Sequence, residues 1–416
     1  LRVRMPRLFT PAFAAALMVP ALCLAQASVS PLTLADADRL LLDANPAILQ
    51  ARHQLTGAHA GIDIAGARPN PQLTLGVSTI DTGGSRWRRP TDNSVRIDQT
   101  FERGDKRDLR LKAAERGVQA ADADLTNTIR LARIDLANAW IDLRTAQDIQ
   151  RASDESAAFA TRTAQAAELR GKAGDLAGVD VARYAADAAR VANDAVQAGL
   201  QLAQARIALS QILGNRIAPN QLRAADTWPD EATNSVAVNA ERADIAAARR
   251  RLEQADALRG LARAQRSRDL SVGVQYEHTP ASLNNAVSEN TFGLSVSVPL
   301  FLGYDYRGDI ARSEADYLMA EQELARIRAA VDGERLRLKA EVAAADARYR
   351  RLQDIALPAA ERAARGAEVA IQKGGMSLTD YLDTQRGLRA ARIETIQARA
   401  DLARARQALA LAGDTP

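Results

Sequence analysis

Residues 174–183 read GDLAGVDVAR, and residues 374–383 read GGMSLTDYLD. In each, a glycine is followed six residues on by an aspartate: Gly174 and Asp180, then Gly374 and Asp380. Each stretch interrupts a long proline-free segment. No proline occurs between Pro90 and Pro219, between Pro299 and Pro358, or between Pro358 and Pro416. Those segments are rich in Ala, Leu, Arg, Asp and Gln, with apolar residues at helical spacing, as in Ile129, Leu131, Ile134, Leu136, Trp140 and Leu143. The pattern predicts a very long helix over ~104–169, a break at Gly171 to Asp175, and a second helix to about Leu213, where Gly214-Asn215 stops it. The second half repeats the plan, with a helix over ~306–371, a break at Gly374-Gly375, and a helix to about Leu411. Pro358 is expected to kink its helix or to mark a local break. At 1.5 Å per residue each long helix spans roughly 100 Å.

A β-type hairpin precedes each long helix. In QLTLGVST (72–79) and SVRIDQTF (94–101), apolar side chains alternate with polar ones, and the same holds for DLSVGVQYE (269–277) and FGLSVSVPLF (292–301). A further helix is expected before each hairpin, over ~33–66 and ~235–266. The two copies match at an offset of 197 to 200 residues, for example Leu73 with Leu270 and Gly76 with Gly273, so the chain reads as an internal twofold repeat. The expected division is a leader at 1–27, a first repeat at 28–217 (β-hairpin 72–101, helical hairpin 104–213), a linker at 218–234, and a second repeat at 235–416 (β-hairpin 269–301, helical hairpin 306–412). Because the two shorter helices of a copy together match the length of the long one, they are expected to stack beside it.

The leader reading rests on Arg2, Arg4 and Arg7, the apolar run FAAALMVPALCLA and the small-x-small site Ala25-Gln26-Ala27. Cys23, the single cysteine, lies in that run. It is either removed with the leader or lipidated, although Leu22 is a poor residue to precede a lipidated cysteine. Three of the 55 basic side chains and none of the 51 acidic ones precede residue 28, so the remainder is near neutral and offers no electrostatic case for nucleic acid. His53, His59 and His278 lack the spacing of a metal site, and no Gly-rich phosphate loop follows a strand. No catalytic residue, metal ligand or cofactor is expected.

The four strands per chain admit two readings. They form a soluble sheet packed on a core, or they contribute to an intermolecular membrane barrel. In the second case Leu73, Leu75, Val272, Val274, Val296 and Val298 face outer membrane lipid and the alternate residues face water. Strand length favours the barrel. So do the aromatics in or beside the hairpins, Trp87, Phe101, Tyr276, Phe292, Phe301, Tyr304 and Tyr306. Four strands cannot close, and unpaired edges cannot persist in hydrocarbon. Three chains would supply twelve strands and leave a pore.

The segments RPNPQLTLGV (68–77), FERGDKR (101–107) and PLFLGYDYRG (299–308), with both glycine–aspartate turns, resemble the TolC family of outer membrane efflux proteins. The first two resemble most the branch serving cobalt–zinc–cadmium and copper efflux. The resemblance implies a homotrimer in which a twelve-stranded outer membrane barrel continues into a periplasmic α-helical tunnel. It also implies docking, through a periplasmic adaptor, onto an inner membrane RND pump. Gly171, Gly174, Gly374 and Gly375 would then mark the hairpin tips where the adaptor docks. Asp180, Asp380 and Asp383 would form the constriction at the periplasmic mouth, with Asp380 and Asp383 one helical turn apart. Two positions depart from the family pattern: Arg183 stands where the second copy has Asp383, and Met376 replaces an arginine of the family's gate network. Taken without the resemblance, the same aspartates read as solvated helix residues. Drug efflux or type I protein secretion would use the same fold. A periplasmic adaptor or coiled-coil scaffold is the competing class, but it would carry one helical hairpin flanked by β domains.

Overall fold

The computed structural model describes residues 31–78, 92–229, 241–281 and 287–413. The leader with Cys23, Trp87, the start of the helix expected at 235 and most of both strand-hairpin loops lie outside the described residues.

Helices α1 (Leu34–Ala44) and α2 (Pro46–Gly66) lead to strands β1 (Gln72–Ser78) and β2 (Asp92–Phe101). Helices α3 (Lys106–Lys172) and α4 (Gly178–Ile212) follow. The order then runs α5 (Ala243–Ala264), β3 (Leu270–Thr279), β4 (Glu289–Ser297), α6 (Arg307–Arg351), a π-helical turn (Leu352–Ala356), α7 (Leu357–Gln372) and α8 (Leu378–Leu411). α3 is 67 residues long, about 100 Å of continuous helix. α2 packs along one stretch of it and α4 along another, while α5 and α8 bridge α3 to α6 and α7.

Two expectations are corrected, and a third is made specific. The single helix over 33–66 is two helices, because the ring of Pro46 disfavours helical backbone at Asn45, which is extended at ψ 125°. The Asn45 side chain makes the joint useful. Its oxygen accepts from the amides of Ala47 and Ile48, and its Nδ2 donates to the Ile212 carbonyl at 2.9 Å, tying the joint to the end of α4. The last strand covers 289–297 rather than 292–301, since Pro299 has no N–H for the ladder. Pro358 marks a local break, one of the two outcomes expected of it, between α6 and α7. The turn just before it widens to a π-turn, which takes up the missing donor and the crowded ring while the chain stays helical.

The principal core lies where α1, α2 and the end of α4 meet the middle of α3. Leu41, Ile48, Leu136, Trp140, Ile141, Leu143, Leu209, Leu213 and Leu222 are buried there, and Trp140 Nε1 donates to the Leu32 carbonyl at 3.0 Å. Residues up to 229 of the expected linker lie against the same region. Asp226 accepts from Arg144 at 2.6 Å, which holds its carboxyl below the usual range. Trp228 lies between the guanidinium groups of Arg144 and Arg399, at 5.9 and 5.1 Å. Elsewhere the long helices meet chiefly through small side chains such as Ala113, Ala120, Ala160, Ala167, Ala195 and Ala198, which permit close axes.

Candidate functional site

Two regions bear on function, the helical hairpin tips and the sheet.

At the first tip α3 ends in a left-handed glycine, Gly174 at φ +81°. The Asp175 amide bonds back to the Arg170 carbonyl (2.9 Å) and the Gly174 amide to the Gly171 carbonyl (3.1 Å). The second tip repeats this with Gly374 at φ +72°, Gly375 onto Ala370 (2.9 Å) and Gly374 onto Ile371 (3.3 Å). This is the Schellman closure, in which a residue without Cβ takes the left-handed position at no steric cost. Beyond each closure a new helix starts, so Asp180 and Asp380 both fall in a first helical turn, where a carboxylate suits the helix dipole.

The acids then differ. Asp380 is exposed and tied to the N-cap residue Ser377. Ser377 Oγ accepts from its amide at 3.1 Å and donates to its carboxylate at 2.7 Å. Asp383, also exposed, accepts from Arg386 at 3.1 Å. Asp180 pairs with Arg183 at 3.4 Å, so the arginine that departs from the second copy neutralises the acid one turn before it. Asp380 and Asp383 share the exposed side of α8, and no hydrogen bond joins Asp180 to either among the described residues.

One turn deeper lies a feature that the sequence reading missed. The Asp187 side chain on α4 is only 5% exposed. It faces Arg190 on its own helix at 3.0 Å, and Arg389 and Arg386 on α8 at 3.4 and 3.5 Å. Arg386 also holds Asp383, so one arginine joins an exposed acid of the tip to a buried one. Burial lowers the Arg389 pKa, Asp187 opposes that effect, and the cations Arg190 and Arg386 add to it. Beside this clasp, Tyr184 of α4 packs with Ile371 and Met376 against a buried cluster of Ala367, Leu378, Tyr381 and Leu382. Burial pushes the Tyr381 hydroxyl up to about 12. Met376 therefore supplies apolar contact where a gate arginine was looked for. The clasp had a local signal. Asp187 lies four residues before Val191, in line with Ala195 and Ala198, and all three are buried. A carboxylate on the apolar stripe of a helix needs cationic partners from a neighbouring element.

Asp187→Asn leaves three arginines around a neutral amide and is expected to cost on the order of 3 kcal/mol. Hydrogen exchange should show the amides of 180–195 and 380–392 opening sooner while the α1–α3 core keeps its protection. Asp187→Leu with Arg389→Leu should recover part of the loss, because no charge is then buried unpaired. Unchanged exchange in Asp187→Asn would remove the clasp from the account.

The sheet has order β1-β2-β3-β4, entirely antiparallel. Its register lines up Leu73, Ile97, Val274 and Leu294 in one row, and Leu75, Val95, Tyr276 and Phe292 in the next. Val272 pairs with Val296 on the same face. Leu73, Leu75, Val274, Val296 and Val298 are exposed and Val272 is half-buried, with Val298 one residue beyond β4. The other face carries Thr74, Gly76, Ser94, Arg96, Asp98, Thr100, Ser271, Gly273, Gln275 and Ser295. There Arg96 grips Asp98 with two nitrogens and reaches Ser295 at 3.1 Å. The pair lies over Gly273, where a Cβ would collide with the Asp98 carboxylate. The outer edges of β1 and β4 have no strand partner among the described residues.

Among the described residues no helix is long and apolar enough to cross a membrane, and no three His, Cys, Asp or Glu side chains group as a metal site.

A sheet with one apolar exposed face, set on helical hairpins of this length, is the protomer fold of outer membrane channels. The structure superposes on VceC of Vibrio cholerae with a TM-score of 0.73 at 21% identity, covering 92% of this chain and 97% of that one. It superposes on the CusC channel with a TM-score of 0.73 at 18% identity, covering 92% of each. In sequence the chain is 29% identical over 379 residues to the cobalt-zinc-cadmium resistance protein CzcC of Cupriavidus metallidurans, covering 88% of this chain and 86% of the relative. The model of the outer membrane efflux protein family matches residues 39–215 and again 235–413. The chain belongs to that family, and it is an outer membrane efflux channel protein.

Proposed function

We propose that three copies of this chain form one twelve-stranded barrel in the outer membrane, continued into the periplasm by a tunnel of helical hairpins. The observation that carries this is the sheet. Its apolar face is exposed over four strands, and its two edges need partners in lipid. Leu73, Leu75, Val272, Val274, Val296 and Val298 face lipid, and the Arg96–Asp98 face lines water. The chain consists of two repeats, 28–217 and 235–416, joined by 218–234, a reading supported by the two separate matches to the family model.

The tips at Gly171, Gly174, Gly374 and Gly375 form the end remote from the membrane and are the docking point for a periplasmic adaptor, which connects the channel to an inner membrane RND pump. Asp380 and Asp383 form the periplasmic constriction, with Asp180, paired to Arg183, beside them. The channel itself is passive and requires no cofactor. Its cargo is heavy-metal cations, a reading supported by the likeness to CzcC. Deleting the gene should sensitise cells to cobalt, zinc or cadmium and leave their tolerance of lipophilic drugs unchanged. The opposite pattern would assign the channel to drug export.

A further inference from the structure

At the helix-proximal end of the sheet, β1 and β3 begin while β2 and β4 end, as the pairing of Phe101 with Leu270 and Ser271 with Ser297 requires. Helices α2, α3, α5 and α6 converge on the same end. Three exposed arginines stand there: Arg68 before β1, Arg103 after β2 and Arg268 before β3. Three nearby acids have other partners, whereas the exposed Asp105 has no ion pair among the described residues. Glu102 is held by Arg110, Asp269 by Lys106 at 2.9 Å, and Asp305 by Arg307 at 2.6 Å. Among the described residues Arg68, Arg103 and Arg268 have no ion pair. Arg268 instead lies 5.6 Å from the ring of Phe301. After β4 the chain presents Leu300 and Leu302, 67% and 90% exposed, together with Phe301, Tyr304 and Tyr306, whose rings meet edge-on and tilted with centroids at 5.2 and 5.4 Å. The end of the apolar face nearest the helices thus gathers exposed leucines, an aromatic cluster and three guanidinium groups.

That grouping suits a bilayer boundary, where acyl chains, aromatic rings and phosphates meet. We propose that this foot of the sheet binds the headgroups of an anionic phospholipid in the membrane leaflet nearest the helices. Arg68, Arg103 and Arg268 take the phosphates, and Leu300, Leu302 and the aromatic trio seat in the acyl boundary. Guanidinium groups suit the task because they pair with phosphate through two N–H donors at once. The proposal rests on the reading that the apolar face of the sheet meets lipid, and it continues that surface to its edge.

The test uses the full protein, purified in detergent, delipidated, and titrated with phosphatidylglycerol or phosphatidylcholine under native mass spectrometry. Wild type should retain phosphatidylglycerol in preference to phosphatidylcholine. The triple variant R68Q/R103Q/R268Q should lose about fivefold in retention per arginine, with oligomeric state and helix content unchanged. The triple lysine variant should keep most of the preference, since the charge remains. Equal retention of both lipids by wild type would overturn the proposal, and so would an undiminished preference in the glutamine variant. Should the wild-type protein bind neither lipid and run as a monomer, the barrel reading falls and this proposal with it.

Discussion

Arginine in place of Val274 should cost about 2–4 kcal/mol per chain if that side chain faces the middle of the membrane. Val274 lies in the row Leu73, Ile97, Val274, Leu294, flanked on both sides by apolar partners, and it is 57% exposed in the single chain. A soluble surface would tolerate arginine there at almost no cost, whereas hydrocarbon would not. Three chains share one barrel, so the penalty enters three times, and Val274→Arg should leave little assembled protein in outer membrane fractions. Gln275→Arg, one residue on and on the opposite face, should assemble nearly as well as wild type. The same alternation should appear in labelling. Cysteine at Thr74 or Ser295 should react with a membrane-impermeant thiol reagent through the pore, and cysteine at Leu73 or Leu75 should not. Tolerance of arginine at 274 with rejection at 275 would invert the sheet.

The second large effect concerns passage rather than stability. Two exposed acids per chain, Asp380 and Asp383, become six when three chains meet, and a ring of carboxylates favours cations and binds multivalent ones. In a planar bilayer the wild-type channel should prefer cations and be blocked by multivalent ions. Asp380→Asn with Asp383→Asn should bring the permeability ratio close to one and relieve the block. Stability should hardly move. Asparagine at 380 can still accept from Ser377 Oγ, and the exposed Asp383–Arg386 pair contributes roughly 0.2–1 kcal/mol at most. Selectivity and block that survive the double change would make these aspartates merely solvated and place the constriction elsewhere. The Asp187 clasp gives a contrasting control. Asp187 is buried, so its replacement should alter the opening of the tips more than the ion preference.

Much of this architecture is legible in the sequence because it is periodic. The alternation in QLTLGVST and DLSVGVQYE fixes which residues share a face, and the ladder register then follows the same parity. The paired glycine–aspartate turns are legible because a left-handed position is locally encoded by glycine. Features that depend on a single atom were harder to read. The Asn45 joint interrupts a stretch whose apolar pattern runs on through it, and only the proline that follows betrays it. The π-turn before Pro358 is one of several ways a helix accommodates a proline, and the choice among them is made by packing. Asp187 finds two of its three arginines about two hundred residues further along the chain, on α8. Spacing alone cannot supply that partnership, although the carboxylate's place on an apolar stripe announces that some partner must exist.

The central claim is that four strands in one chain are a third of a closed barrel. It is tested most directly by the mass of the detergent-solubilised protein, measured by native mass spectrometry alongside its strand content by circular dichroism. The account expects a single species of three chains. A monodisperse monomer that retains its strands would contradict it.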